Sequence, residues 1–107
     1  MITIGFFKEM QLYENDGSID EFVVDEVHYD KKTVVDYLNS FKTKAICARR
    51  PIDCVTGEEI ASGFRIIDDG EYEWCDFLEY HIKKYNIRLP DDFIEKITNW
   101  EIQNGKR

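Results

Sequence analysis

Three cysteines, Cys47, Cys54 and Cys75, and two histidines, His28 and His81, carry the most versatile chemistry in this chain. A structural zinc site wants four such ligands, usually with a Cys-x-x-Cys pair. No such pair occurs and the spacings match no structural site, so no metal is expected. Cys75 stands beside the start of an expected helix, where the positive end of the dipole lowers a thiol pKa and favours reactivity; a buried, inert cysteine fits the same position. His81 falls on that helix's apolar stripe between Phe77 and Tyr85, the ordinary place for a hydrogen-bonded structural histidine. A pocket near Cys75 and His81 is the basis of the one enzymatic reading, a small hydrolase or sensor domain. The glycines stand singly at 5, 17, 57, 63, 70 and 105, with no phosphate loop, G-x-S-x-G or His-Glu-x-x-His. The chain therefore reads as a non-enzyme without a cofactor.

Carboxylates are plentiful, and their abundance removes their value as an acid-base signature. Asp91-Asp92 suits the first turn of a helix, and Asp68-Asp69-Gly70 suits a turn that lacks the other ligands of a calcium loop. Residues 68–79 hold six acids in twelve positions and no base, with Tyr72, Trp74 and Phe77 interleaved. Two readings fit: core aromatics beneath solvated acids, or an anionic recognition surface with aromatic anchors. On the second, Asp68, Asp69, Glu71 and Glu73 are rim and steering contacts, and Tyr72 and Trp74 are anchors if exposed. A second run without a base, Asp20, Glu21, Asp25, Glu26 and Asp30, extends the same face or forms an ordinary solvated surface.

These residues have to be positioned by one domain, since 107 residues with 43% hydrophobic content supply one core. Residues 2–7 read as a strand in the sheet interior, and 14–18 as a loop. Residues 19–27 lean towards a short helix. Asp30 caps a helix over 31–41 that presents Val34, Leu38 and Phe41. Strands are expected at 44–48, at 52–55 after Pro51, and as a hairpin around 68–70 with Tyr72 and Trp74 inward and Glu71 and Glu73 outward. Thr56-Gly57 marks a tight turn. Asp76 with Glu79 forms a capping box for the next helix, and Pro90 takes the first position of the last one, which shows Phe93, Ile94, Ile97 and Trp100 to the core. The expectation is α+β, a mainly antiparallel sheet with about three helices, filling 1–103 ahead of a frayed tail at 104–107.

The net charge of −8 is uneven: residues 1–30 carry eight acids and one base, 31–65 four and seven, 66–107 ten and six. Such a field repels nucleic acid and anionic membrane and attracts basic proteins, although acids also serve plain solubility. The odd cysteine number, a short apolar start without a basic flank and the lack of any stretch near about 20 apolar residues point to a reducing, cytoplasmic setting.

Asp69-Gly70-Glu71-Tyr72-Glu73-Trp74, then Leu78, Tyr80, Tyr85-Asn86 and Leu89-Pro90-Asp91-Asp92-Phe93-Ile94, resemble small bacterial proteins with a D-G-x-x-x-W strand and a terminal L-P-x-x-F helix. Ile4-Gly5-Phe6-Phe7-Lys8-Glu9 and Val55-Thr56-Gly57-Glu58 extend the likeness over most of the chain. Proteins of this type resemble immunity proteins of bacterial toxin systems, including contact-dependent growth inhibition. The resemblance implies a cytosolic partner of a toxin domain, often a basic nuclease, and assigns no site residue.

Overall fold

The computed structural model describes residues 1–12 and 14–104. Its regular elements are β1 (Ile2–Ile4), α1 (Lys31–Leu38), β2 (Thr43–Cys47), β3 (Phe64–Asp68), β4 (Tyr72–Cys75), α2 (Phe77–Lys84) and α3 (Asp91–Asn104), with 3-10 turns at Lys8–Met10 and Ile19–Glu21. The α+β expectation holds: three helices accompany one four-stranded sheet of order β1-β4-β3-β2. Pairing is antiparallel for β2 with β3 and β3 with β4, but β1 runs parallel to β4, so the sheet is mixed.

Strand β1 lies at the sheet edge, not in its interior as its apolar run suggests, and it is only three residues long. Gly5 ends it: at φ +73° the backbone turns left-handed and carries Phe6 and Phe7 into the core, where Phe7 is fully buried. A Cβ on Gly5 would lie 2.6 Å from Leu78 Cδ1, a fully buried side chain that would have to shift, and the left-handed φ strains any side chain there. Gly5→Ala is therefore expected to destabilise the fold by about 2–3 kcal/mol, read as a lower urea midpoint at unchanged slope.

The hairpin forms where expected. Gly70 takes φ +96°, Asp68 Oδ1 accepts from the Gly70 N–H at 2.9 Å, and Asp69 Oδ1 accepts from those of Glu71 and Tyr72 at 2.9 and 2.7 Å. Period-two alternation then turns Tyr72 and Trp74 inward, against Phe93 at 4.9 and 5.9 Å between ring centroids. Tyr37 of α1 and Phe41 complete this aromatic layer around Trp74. Helix α1 starts at its Asp30 cap, whose carboxylate accepts from Thr33 N–H and Oγ1, and it stops at Leu38, short of Phe41. Ser40 ends it by donating to the Asp36 carbonyl at 2.7 Å.

Four local expectations are corrected. Residues 19–27 form no α-helix: after a 3-10 turn closed by the Ser18/Glu21 capping box, the chain extends and pairs Val23 with Ile87. Residues 52–55 form no strand, only an isolated Ile52–Glu59 bridge, because Asp53 turns inward. Asp76 has helical dihedrals and makes no side-chain cap, since β4 runs straight into α2; its carboxylate pairs with Arg65 at 3.2 Å. Pro90 flanks α3 from outside, its carbonyl accepting from the Ile94 N–H. Of the expected tail, Asn104 is the last residue of α3 and 105–107 lie outside the described residues. Among the described residues no helix is long and apolar enough to cross a membrane.

Candidate partner-binding surface

Four acids of 68–79 meet cations from elements distant in sequence. Lys44 on β2 reaches Glu73 at 2.6 Å and Asp68 at 3.6 Å, helped by a bulge between Thr43 and Ala45. Lys96 on α3 reaches Asp69 at 3.1 Å and Glu71 at 2.9 Å while lying over the Tyr72 ring. Arg65 and Lys83 take Asp76 and Glu79. All six acids of the stretch are thus ion-paired within the chain.

Asp69 is moreover structural. Its side chain has no exposed surface and accepts from Tyr37 Oη, Lys96 Nζ and two backbone N–H groups. Burial acts most strongly on its pKa and raises it, but these hydrogen bonds together outweigh burial and hold the carboxyl below its usual range. Tyr72 and Trp74, 5% and 1% exposed, belong to the core and are not surface anchors. Glu71 alone in the stretch keeps most of its surface, at 57%.

The second run behaves oppositely. Asp20, Glu21, Asp25 and Glu26 are all exposed, and none of them, nor Asp30, is in an ion pair among the described residues. The segment is nevertheless held firmly. Val24 N–H donates to the Asn86 carbonyl, Arg88 N–H to that of Phe22, Asn86 Nδ2 to that of Asp25, and Tyr29 Oη to that of Ile87. The backbone is fixed by these bonds; Glu21 accepts from the Ser18 N–H and Asp30 from Thr33, while the Asp20, Asp25 and Glu26 carboxylates have no hydrogen-bond partner among the described residues.

Beside this strap runs a furrow. A depression of about 380 Å³ is lined by Val24, Val27, Leu89 and Ile94 together with Glu26 and Asp91. It shares Arg88 and Leu89 with a depression beside β1, and His28, Tyr29 and Ile94 with one between α1 and α3. Among the described residues Arg88 is the single cation in these linings, and it is stacked 5.2 Å over Phe22 and donates to the Glu21 carbonyl.

Cys75 and His81 are both buried, and neither lines the depression beside Asp76, Phe77 and Tyr80. His81 is fully buried; its Nε2 accepts from the Cys54 N–H at 2.9 Å and its Nδ1 lies 2.8 Å from the Phe77 carbonyl, an acceptor only, so the ring is neutral with its proton on Nδ1. Burial lowers its pKa further. Burial also pushes the Cys75 thiol up, and the Cys54 thiol to about 12, the opposite of activation. All three cysteines are free. Among the described residues no group of three His, Cys, Asp or Glu side chains could hold a metal ion.

Sequence reasoning missed Asp53. This fully buried carboxylate accepts from Tyr85 Oη at 2.7 Å, Tyr80 Oη at 2.8 Å, Lys84 Nζ at 3.1 Å and the N–H groups of Val55 and Thr56 at 2.8 and 3.0 Å. Burial, the largest influence on its pKa, is outweighed by these bonds, and the group sits well below the ordinary aspartate range. Every donor is internal, so the arrangement clamps the 53–59 loop onto α2. The available signal was a lone acid in the apolar run Ile52-Asp53-Cys54-Val55, a position that is costly unless paired.

No protein-family model, curated protein or solved structure matches the chain.

Proposed function

We propose that this protein is a cytoplasmic immunity protein of a bacterial toxin system, of the contact-dependent growth inhibition type, which neutralises a basic, nuclease-like toxin domain by covering its active site or substrate face. The observation that carries this reading is the run of acids at 20–30, outside any ion pair among the described residues and carried on a hydrogen-bonded strap beside an apolar furrow. A surface of that kind accelerates encounter with a cationic partner and offers apolar area for the contact that follows. The free cysteines suit a reducing compartment. Steering is assigned to Asp20, Glu21, Asp25 and Glu26, with Glu71 a subsidiary contact. Asp68, Asp69 and Glu73, already ion-paired, serve the fold.

The test is co-expression with the toxin domain of an exported effector encoded beside this gene. Growth should be restored, and the two chains should elute as one complex. Growth that stays arrested, with the chains eluting separately, overturns the proposal.

A further inference from the structure

The furrow has a direction. One wall is α3, which contributes Asp91, Ile94, Thr98 and Glu101, a stripe at i, i+3, i+7 and i+10 along a single helix face. At 1.5 Å per residue that stripe is about 15 Å long. The other wall is drawn from residues 24–30, which contribute Val24, Glu26, Val27 and Asp30. Glu26 and Asp91 thus share the first depression with Val24, Val27, Leu89 and Ile94, while Asp30 and Glu101 share the second, both within reach of the Thr33 hydroxyl at 2.7 and 3.1 Å. None of the four is in an ion pair among the described residues; the other polar or titratable groups in the two depressions are His28, Tyr29, Arg88, Thr33 and Thr98. We infer that the furrow seats a basic amphipathic helix of the partner, its apolar stripe on Val24, Val27, Leu89 and Ile94 and its lysines or arginines against the acids of both walls.

Charge complementarity selects this occupant. An acidic segment would face four like charges, and a second copy of a chain with net charge −8 would meet the same repulsion. An apolar helix without flanking cations would leave the acids beside it less hydrated and unpaired. The walls run along a helix axis, the geometry in which i, i+3, i+4, i+7 anchors are read. The inference rests on the proposed partner-binding role and narrows it to one element of the partner.

The probe is a helical peptide of about 15 residues with leucines on one face and lysines on its flanks, long enough to span the furrow. A second peptide replaces each leucine by alanine, keeping helix and charge, and a third replaces lysine by glutamate. Amide shift mapping on the full chain should show saturable binding of the first peptide centred on Val24, Val27, Leu89 and Ile94. The alanine peptide should bind at least about tenfold more weakly, since several buried methylenes are lost, and the glutamate peptide not at all. Glu26→Gln with Asp91→Asn, which preserve shape and helix start, should weaken the first peptide about tenfold at low salt. Equal affinity of the leucine and alanine peptides, shifts centred away from the furrow, or indifference to the double substitution would each overturn the inference. No toxin is present, so the two proposals fail separately: seating without growth protection retires the toxin role alone, and protection without seating retires the furrow alone.

Discussion

Replacing Asp53 by alanine is expected to cost about 3–5 kcal/mol, the largest effect of any single substitution away from the aromatic core. Two tyrosine hydroxyls, two backbone N–H groups and Lys84 all donate to a carboxylate with no exposed surface, so its removal leaves several donors without an acceptor at once. With a domain stability of about 5–15 kcal/mol, the variant should melt at least about 12 °C lower. Asp53→Asn keeps the shape and removes the charge, and separates the two contributions. The folded pKa is depressed, so the charge contributes fully above the ordinary aspartate value of 3.8 and its contribution is lost as pH falls towards the folded value. The stability gap between the native chain and Asp53→Asn, taken from urea titrations, should thus be constant near neutrality and narrow below about pH 4. A gap that instead widens under acid would show that Asp53 is not the stabilised anion described.

The second large effect concerns encounter with the partner. Reversing Asp20, Asp25 and Glu26 to lysine changes the net charge from −8 to −2, since three reversals add six. The association rate with the toxin domain should drop about ten- to a thousandfold at low ionic strength, with most of the difference vanishing in high salt. Glu21 is left in place because it accepts from the Ser18 N–H at 3.1 Å and closes the capping box. Melting should stay unchanged. Reversal of Asp68, Asp69, Glu71 and Glu73 should act differently, because it puts a lysine in the buried place of Asp69 and sets like charges against Lys44 and Lys96; the readout there is loss of stability. Stopped-flow rates for the two sets, beside their melting curves, decide which acidic run steers. Equal rates for the native chain and the 20–26 set would sink the assignment.

Local rules were enough for much of this fold. The Asp30 cap, the turn at Gly70, the alternation of β4 and the apolar stripe of α2 all follow from neighbours a few residues apart, and all formed. What sequence could not disclose lies in long-range partners. Lys44 and Lys96 stand 29 and 25 residues from Glu73 and Glu71, so nothing local to the densest acidic stretch discloses the cations that pair with it. Asp53 meets Tyr80 and Tyr85 across 27 and 32 positions, and an isolated acid gives no hint of which hydroxyls will reach it. Residues 19–27 suited a helix by pattern, yet pairing with 86–88 competed and won, a tertiary override of a weak local preference. The same override converted a segment of uncertain form into the rigid strap that displays its acids.

The parallel pairing of β1 with β4 also sets an order of assembly. Strands β3 and β4 are neighbours joined by a tight turn, and β2 joins them across residues 48–63. Ile2, by contrast, must find Tyr72 across 70 positions, and the entropy of closing so long a segment has to be met before any contact rewards it. The hairpin with its helices is therefore the expected nucleus, and the edge strand, carrying Phe6 and Phe7 behind it, is expected to dock late. Until it does, the hydrophobic seat beside Leu78 stays open, and the half-assembled chain is most exposed to aggregation during that interval.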